Sequence, residues 1–337
     1  MKSERINKVK GERLMVKGIL ILFFLSIFNF QFSFAQSTEQ EQQFTYYWYA
    51  AKEAIVEERY GDAYVLLTFC NAIKPDDGAT LTFLGIIEQG IGNEMKGLKM
   101  YRDGFEADPY DQWFHYSKVL LDMDSPVAKA EALRVLEKAH KVQQPNCDED
   151  LLEQLQSVYL GNGMLDKAIE IQDELDKIRG YNDVSAILRY QVFLVQKKTK
   201  KALAEVNKYI EQDPSDVRFY ILKIDAMTRL KAKPKELYPV YDKILELEPG
   251  NLPTLNNYAW LLATNKGDLN KAEAMSAITI REEPNNPTYL DTYGWIMYLK
   301  GQKELAKFYL EKAAMWSTDE KEKAEIEGHL IKVKGER

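Results

Sequence analysis

Leu255-Asn256-Asn257-Tyr258-Ala259 and Leu290-Asp291-Thr292-Tyr293-Gly294 lie 35 residues apart and share one pattern: leucine, two variable residues, tyrosine, a small residue. Ala272 and Ala306 follow them at nearly matching offsets. A fixed period of this length, with small residues at set places, marks an array of helical repeats. The prolines carry the period through the chain. Pro75, Pro109, Pro145, Pro214, Pro249 and Pro284 are spaced 34, 36, 69, 35 and 35 residues apart, the longest gap being two units. Each follows a charged, apolar-periodic segment. Proline lacks the amide donor and disfavours helical geometry in the residue before it, so a helix is expected to stop at each. Asp76, Ser215, Asn251 and Asn285 then suit a turn and the capping of the next helix.

Within a unit the pattern divides in two. Leu81, Leu84 and Gly85 open one helix, Gly92 breaks it, and Gly97, Tyr101 and Gly104 lie on one stripe of a second. Leu290, Tyr293, Gly294 and Met297, then Gly301, then Ala306, Leu310 and Ala313 repeat the arrangement. Gly85, Gly294 and Ala306 would let paired helices approach closely. Gly92, Gly163 and Gly301 fit sharp turns that need positive φ.

On these residues the chain resembles the tetratricopeptide repeat family of 34-residue helix-turn-helix units. Residues 81–109 follow its pattern best, through Leu81, Leu84, Gly85, Gly92, Gly97, Tyr101, Gly104 and Pro109. The resemblance implies an all-α, right-handed α-solenoid of about eight units over 44–318, with a short polar linker at 36–43 and a C-terminal capping helix and tail at 319–337. Unit three departs from the pattern with extra residues around Met123–Pro126, unit five with Tyr190 at the small site, and unit six with Ile224 there and Pro234 in its inter-helix turn.

A basic stretch ending in Lys17 precedes the apolar run Ile19–Phe28, and Ser33-Phe34-Ala35 supplies small residues before Gln36. That is the pattern of a secretory signal peptide over 1–35, cleaved after Ala35. Met15-Val16-Lys17 is already an adequate basic lead, so Met15 is a second candidate start. An uncleaved membrane anchor is the rival reading, but Ser26, Asn29, Gln31 and Ser33 interrupt the ~20 apolar residues a span needs. The expected location is therefore periplasmic or extracellular. Cys70 falls where the repeat wants a small buried residue, and Cys147 falls between units three and four. With helices spaced ~8–10 Å, the two thiols are expected too far apart for a disulfide.

Without residues 1–35 the chain holds 39 basic and 50 acidic residues, a net charge of −11. Nucleic acid is a poor partner for such a balance. Membrane contact is expected only through a partner or an uncleaved leader. His115, His140 and His329 do not share a helix at metal-ligand spacing, so no metal site is expected. Gly90-Ile91-Gly92 lacks the Gly-Lys-Ser/Thr ending of a phosphate loop, and no Gly-x-Ser-x-Gly elbow occurs. Neither catalysis nor a cofactor is expected.

What remains is the concave face, which in this family is lined by the first helix of each unit. Carried onto this sequence, it presents Asn256 and Trp260 in unit seven, Asp291, Trp295 and Tyr298 in unit eight, and Arg218, Asp225 and Arg229 in unit six. Trp48 and Lys52 belong to unit one. Trp260 and Trp295 take the same place in adjacent units and would sit side by side as an aromatic clamp for an extended peptide or a partner helix. Alternatively, both tryptophans fill space between helices. The expected function is a non-enzymatic scaffold or assembly factor of the bacterial envelope; a glycan-binding module using the paired tryptophans is the alternative.

Overall fold

The structure is a computed structural model that describes residues 39–123 and 125–335. The signal peptide expected over 1–35 lies outside the described residues. Among the described residues there are seventeen helices and no strand. They are α1 (Glu39–Val56), α2 (Tyr60–Ile73), α3 (Gly78–Gly90), α4 (Glu94–Ala107), α5 (Trp113–Asp122), α6 (Pro126–Gln143), α7 (Glu149–Gly161), α8 (Leu165–Arg179), α9 (Asp183–Val195), α10 (Thr199–Gln212), α11 (Val217–Arg229), α12 (Pro234–Leu247), α13 (Leu252–Thr264), α14 (Leu269–Glu282), α15 (Pro287–Leu299), α16 (Lys303–Trp316) and α17 (Glu320–Lys334). The fold is an all-α solenoid of helical hairpins. It divides into two compact units, one ending at Ile171 and the other beginning at Gln172.

Helices α2, α4, α6, α10, α12 and α14 each end two residues before a proline, at Ile73, Ala107, Gln143, Gln212, Leu247 and Glu282. The residue between is pushed out of helical geometry, as at Asp108 (φ −141°, ψ 82°) and Glu248 (φ −131°, ψ 81°). Caps fall one residue later than three of the expected four. Asn251 accepts from the Thr254 amide, but Asp77, Asp216 and Asn286 do the same work in place of Asp76, Ser215 and Asn285. A cap side chain must sit one residue before the first helical φ/ψ, and the proline turn takes up the additional residue.

The turn inside each hairpin also keeps the period. Left-handed residues occur there at Glu58, Gly92, Gly163, Lys197, Lys231, Lys266 and Gly301, while Gly180 lies between α8 and α9 and Gly335 caps α17. Only some of these are glycine, which is why glycine alone traced the pattern incompletely. Pro234 is not in the turn: it is the first residue of α12, where its missing amide costs nothing. The first helix opens at Glu39, inside the stretch 36–43 expected as a linker; Glu39 and Glu41 favour a helix N-terminus and no Gly or Pro interrupts it.

In the first unit Ala51, Ala54, Ile55, Ala63, Leu67, Leu84 and Ile87 form one apolar cluster. Cys70 is fully buried, Cys147 is half-buried, and the two form no disulfide. In the second unit the largest cluster runs from Leu237 and Tyr241 through Leu255, Tyr258 and Leu262 to Ile296, Met297, Leu310, Leu330 and Val333. Gly294 packs against α16 so closely that a Cβ would stand 2.8 Å from Leu310 Cγ. Helix α17 packs on both α15 and α16, as the first helix of a further repeat would.

Candidate binding groove

Helices α13, α15 and α17 set the candidate site, each started by a side-chain cap from Asn251, Asn286 or Asp319. Leu255, Tyr258, Ala259 and Leu262 of α13 turn into the core, as do Leu290, Gly294 and Met297 of α15. Trp260 and Trp295 do not join them and remain half-buried. They sit at the edge of the core.

The two indoles meet through a third ring. His329 of α17 lies 4.4 Å from Trp295 with an interplanar angle of 32°, and 5.6 Å from Trp260 at 48°. Tyr298 packs on Trp295 at 5.1 Å, and the Lys332 ammonium stands 5.3 Å from the centre of the Trp295 ring. His329 Nδ1 is 2.8 Å from Asp291 Oδ1, and both side chains are mostly buried, at 17% and 15% exposure. Trp260, Trp295 and His329 follow one another at intervals of 35 and 34, so a single repeat position supplies all three rings. The sequence reading missed His329 and Lys332 because α17 was taken as a cap; extending the period by one more unit would have found His329.

A second set of bonds fixes α17 against α15. Thr288 donates to Glu322 at 2.6 Å, and Ser317 donates to the other oxygen of Glu322 at 2.7 Å. Asn256 is only 4% exposed, and its Oδ1 has no hydrogen-bond partner.

Arg218, on the one hand, and Asp225 with Arg229, on the other, are taken up by partners of their own. Arg218 pairs with Asp216 at 2.6 Å and with Asp183 at 2.9 Å. Asp225 accepts from Arg229 Nε at 2.7 Å and from the Tyr190 hydroxyl. Burial would raise the Asp225 pKa, but its bonds to Arg229 and Tyr190 outweigh burial and hold it below the ordinary value. Tyr190, the large residue where the repeat expects a small one, thus ties α9 to α11. In the first unit Lys52 lies over Tyr49 at 4.6 Å and Trp48 at 5.5 Å, and Trp48 meets Phe83 edge-on at 5.5 Å.

Residues 240–274, spanning most of α12 to the start of α14, match the tetratricopeptide repeat family model. That segment is a tetratricopeptide repeat. Comparison with curated proteins gives no match. Among solved structures, the chain is similar to part of a tetratricopeptide-repeat-containing protein from Cytophaga hutchinsonii (18% identity, 74% of this chain, 98% of that one, TM-score 0.46). It is also similar to YrrB, described as a repeat protein with an unusual peptide-binding site (17% identity, 56% and 97%, TM-score 0.44). Yeast Tom70 is a third (14% identity, 96% and 73%, TM-score 0.44).

Proposed function

We propose that this tetratricopeptide-repeat protein is an exported, non-enzymatic scaffold that grips a protein partner along the face carrying Trp260, Asp291 and Trp295. The observation that carries the reading is the half-burial of Trp260 and Trp295 at one repeat position, beside a core already filled by Tyr258, Leu262, Ile296 and Met297. Large aromatic side chains held at the edge of a packed core give contact area at low entropic cost. Export rests on the leader pattern ending at Ala35, and the envelope of a bacterial cell is the compartment it implies. No described helix is long and apolar enough to cross a membrane.

Crosslinking of tagged protein in cells, followed by mass spectrometry, tests the scaffold reading. Capture of one envelope protein by the native chain, and its loss in Trp260→Ala/Trp295→Ala, is the expected result. Unchanged capture by a double variant with a native melting profile overturns the groove. The mass of the mature protein tests export, since cleavage after Ala35 leaves Gln36 at its N-terminus.

A further inference from the structure

The aromatic cluster is not empty: the chain's own nitrogen-bearing side chains fill it. His329 stacks near Trp295 and contacts Trp260, and Lys332 stands over Trp295. Asp291 holds a carboxylate at 15% exposure and is bonded to His329. A carboxylate so far removed from water requires a donor, and the faces of two indoles favour one that is cationic. Imidazole is flat and carries an N–H at its edge, so it can face the indoles and donate to the carboxylate.

The helix that brings His329 is held by other residues. Ile326, Leu330 and Val333 are its buried stripe, at 1%, 8% and 6% exposure. Glu322 adds the bonds to Thr288 and Ser317. His329 can therefore leave the indoles by rotating its own side chain, with α17 still seated.

Resting on the scaffold reading above, we infer that Trp260, Asp291, Trp295 and Tyr298 form a subsite for an arginine of the partner segment, with His329 as its resident occupant. Arginine fits better than lysine: its guanidinium is planar, can stack between rings, and offers two parallel N–H groups to one carboxylate. The net charge of −11 for the chain after residue 35 also favours a basic segment.

The test is a tryptophan-fluorescence titration of the full chain with an alanine peptide bearing one central arginine, beside the same peptide with uncharged citrulline. An intramolecular occupant lowers apparent affinity by the fraction of time it holds the site, so His329→Ala is expected to bind the arginine peptide about tenfold tighter than the native chain. Asp291→Asn is expected to lose the binding, and citrulline to show none. His329→Gln, which keeps an N–H donor but cannot stack as a ring, serves if the alanine variant melts early. Equal binding of the two peptides, or no gain in either His329 variant, overturns the inference. If partner capture depends on the tryptophans while the arginine peptide fails, the scaffold reading stands and this subsite falls. If the peptide binds and no partner is captured, the reverse holds.

Discussion

In the second repeat Gly85 of α3 lies so near α4 that a Cβ would meet Tyr101 at 3.0 Å and the Gly97 carbonyl at 3.1 Å. Three periods later the fifth repeat has Tyr190, Ala202 and Tyr209 where the second has Gly85, Gly97 and Gly104. Leu84 is matched by Arg189, which is 7% exposed and pairs with Asp176 at 2.8 Å and Asp173 at 2.5 Å. Glu205 lies 4.0 Å from Arg189 Nε. One hairpin is closed by backbone against side chain at near-contact distance. The other is held apart by larger residues and joined by a buried cation, with Tyr209 stacked on Phe219 at 3.9 Å. The hairpin therefore requires complementary filling between its helices, and glycine is one way to provide it.

The largest expected effect breaks the fifth repeat. Arg189→Met strands Asp176 and Glu205, and loss of one member of a buried ion pair costs about 4 kcal/mol. Urea unfolding should show it, and adding Glu205→Met should recover part of the loss. An unchanged midpoint would mean that the network does not hold the hairpin. Next comes the second repeat. At Gly97 a Cβ would stand 2.6 Å from Gln89 Cγ and 2.9 Å from the Gly85 carbonyl, so Gly97→Leu should cost about 3 kcal/mol by overpacking. The matching Ala202→Gly should be much milder.

Repeat two has a buried charge of its own. Glu88 is 1% exposed, and its pKa is held at about 2 by hydrogen bonds from Lys96, then Tyr64 and Asn93. A depressed carboxylate adds stability that is complete above its ordinary value near 4.5 and is lost as pH falls toward 2. Glu88→Gln should cost roughly 2 kcal/mol at neutral pH and flatten the unfolding midpoint across that acid window. A midpoint that still falls as steeply would assign the acid sensitivity to other groups.

The smallest effect sharpens the contrast at the turns. Repeat two turns at Gly92 (φ 91°) and repeat five at Lys197 (φ 58°). A left-handed lysine pays a steric cost that glycine avoids, offset in part by glycine's looser unfolded state, so Lys197→Gly should stabilise by about 0.5 kcal/mol. A shift of the thermal midpoint downward would refute the turn assignment.

The same contrast explains what the sequence disclosed. Proline and glycine act on the backbone locally, so the helix ends at Ile73, Ala107 and Leu247 and the turns at Gly92 and Gly301 were legible. Burial of Arg189 was not, because an arginine on a helix reads as surface until Asp173, Asp176 and Glu205 are brought around it. The eight groove residues divide for a similar reason. Trp260, Asp291 and Trp295 are drawn together through His329, with Tyr298 packed on Trp295 and Asn256 buried, whereas Arg218 pairs with Asp183 and Asp216 and Asp225 pairs with Arg229. Period places a residue on a face, but only packing decides whether that face is free, filled or paired.

Cys70 offers a different use of the same packing. Its side chain is wholly enclosed by the first repeat, and burial pushes its thiol pKa up to about 11. At pH 8 only about one such thiol in a thousand is thiolate, the form that reacts. A water-soluble alkylating agent therefore modifies the half-buried Cys147 first and reaches Cys70 mainly when the first repeat opens. The slow labelling phase becomes a clock for the opening of the first repeat, read in the native chain without any substitution.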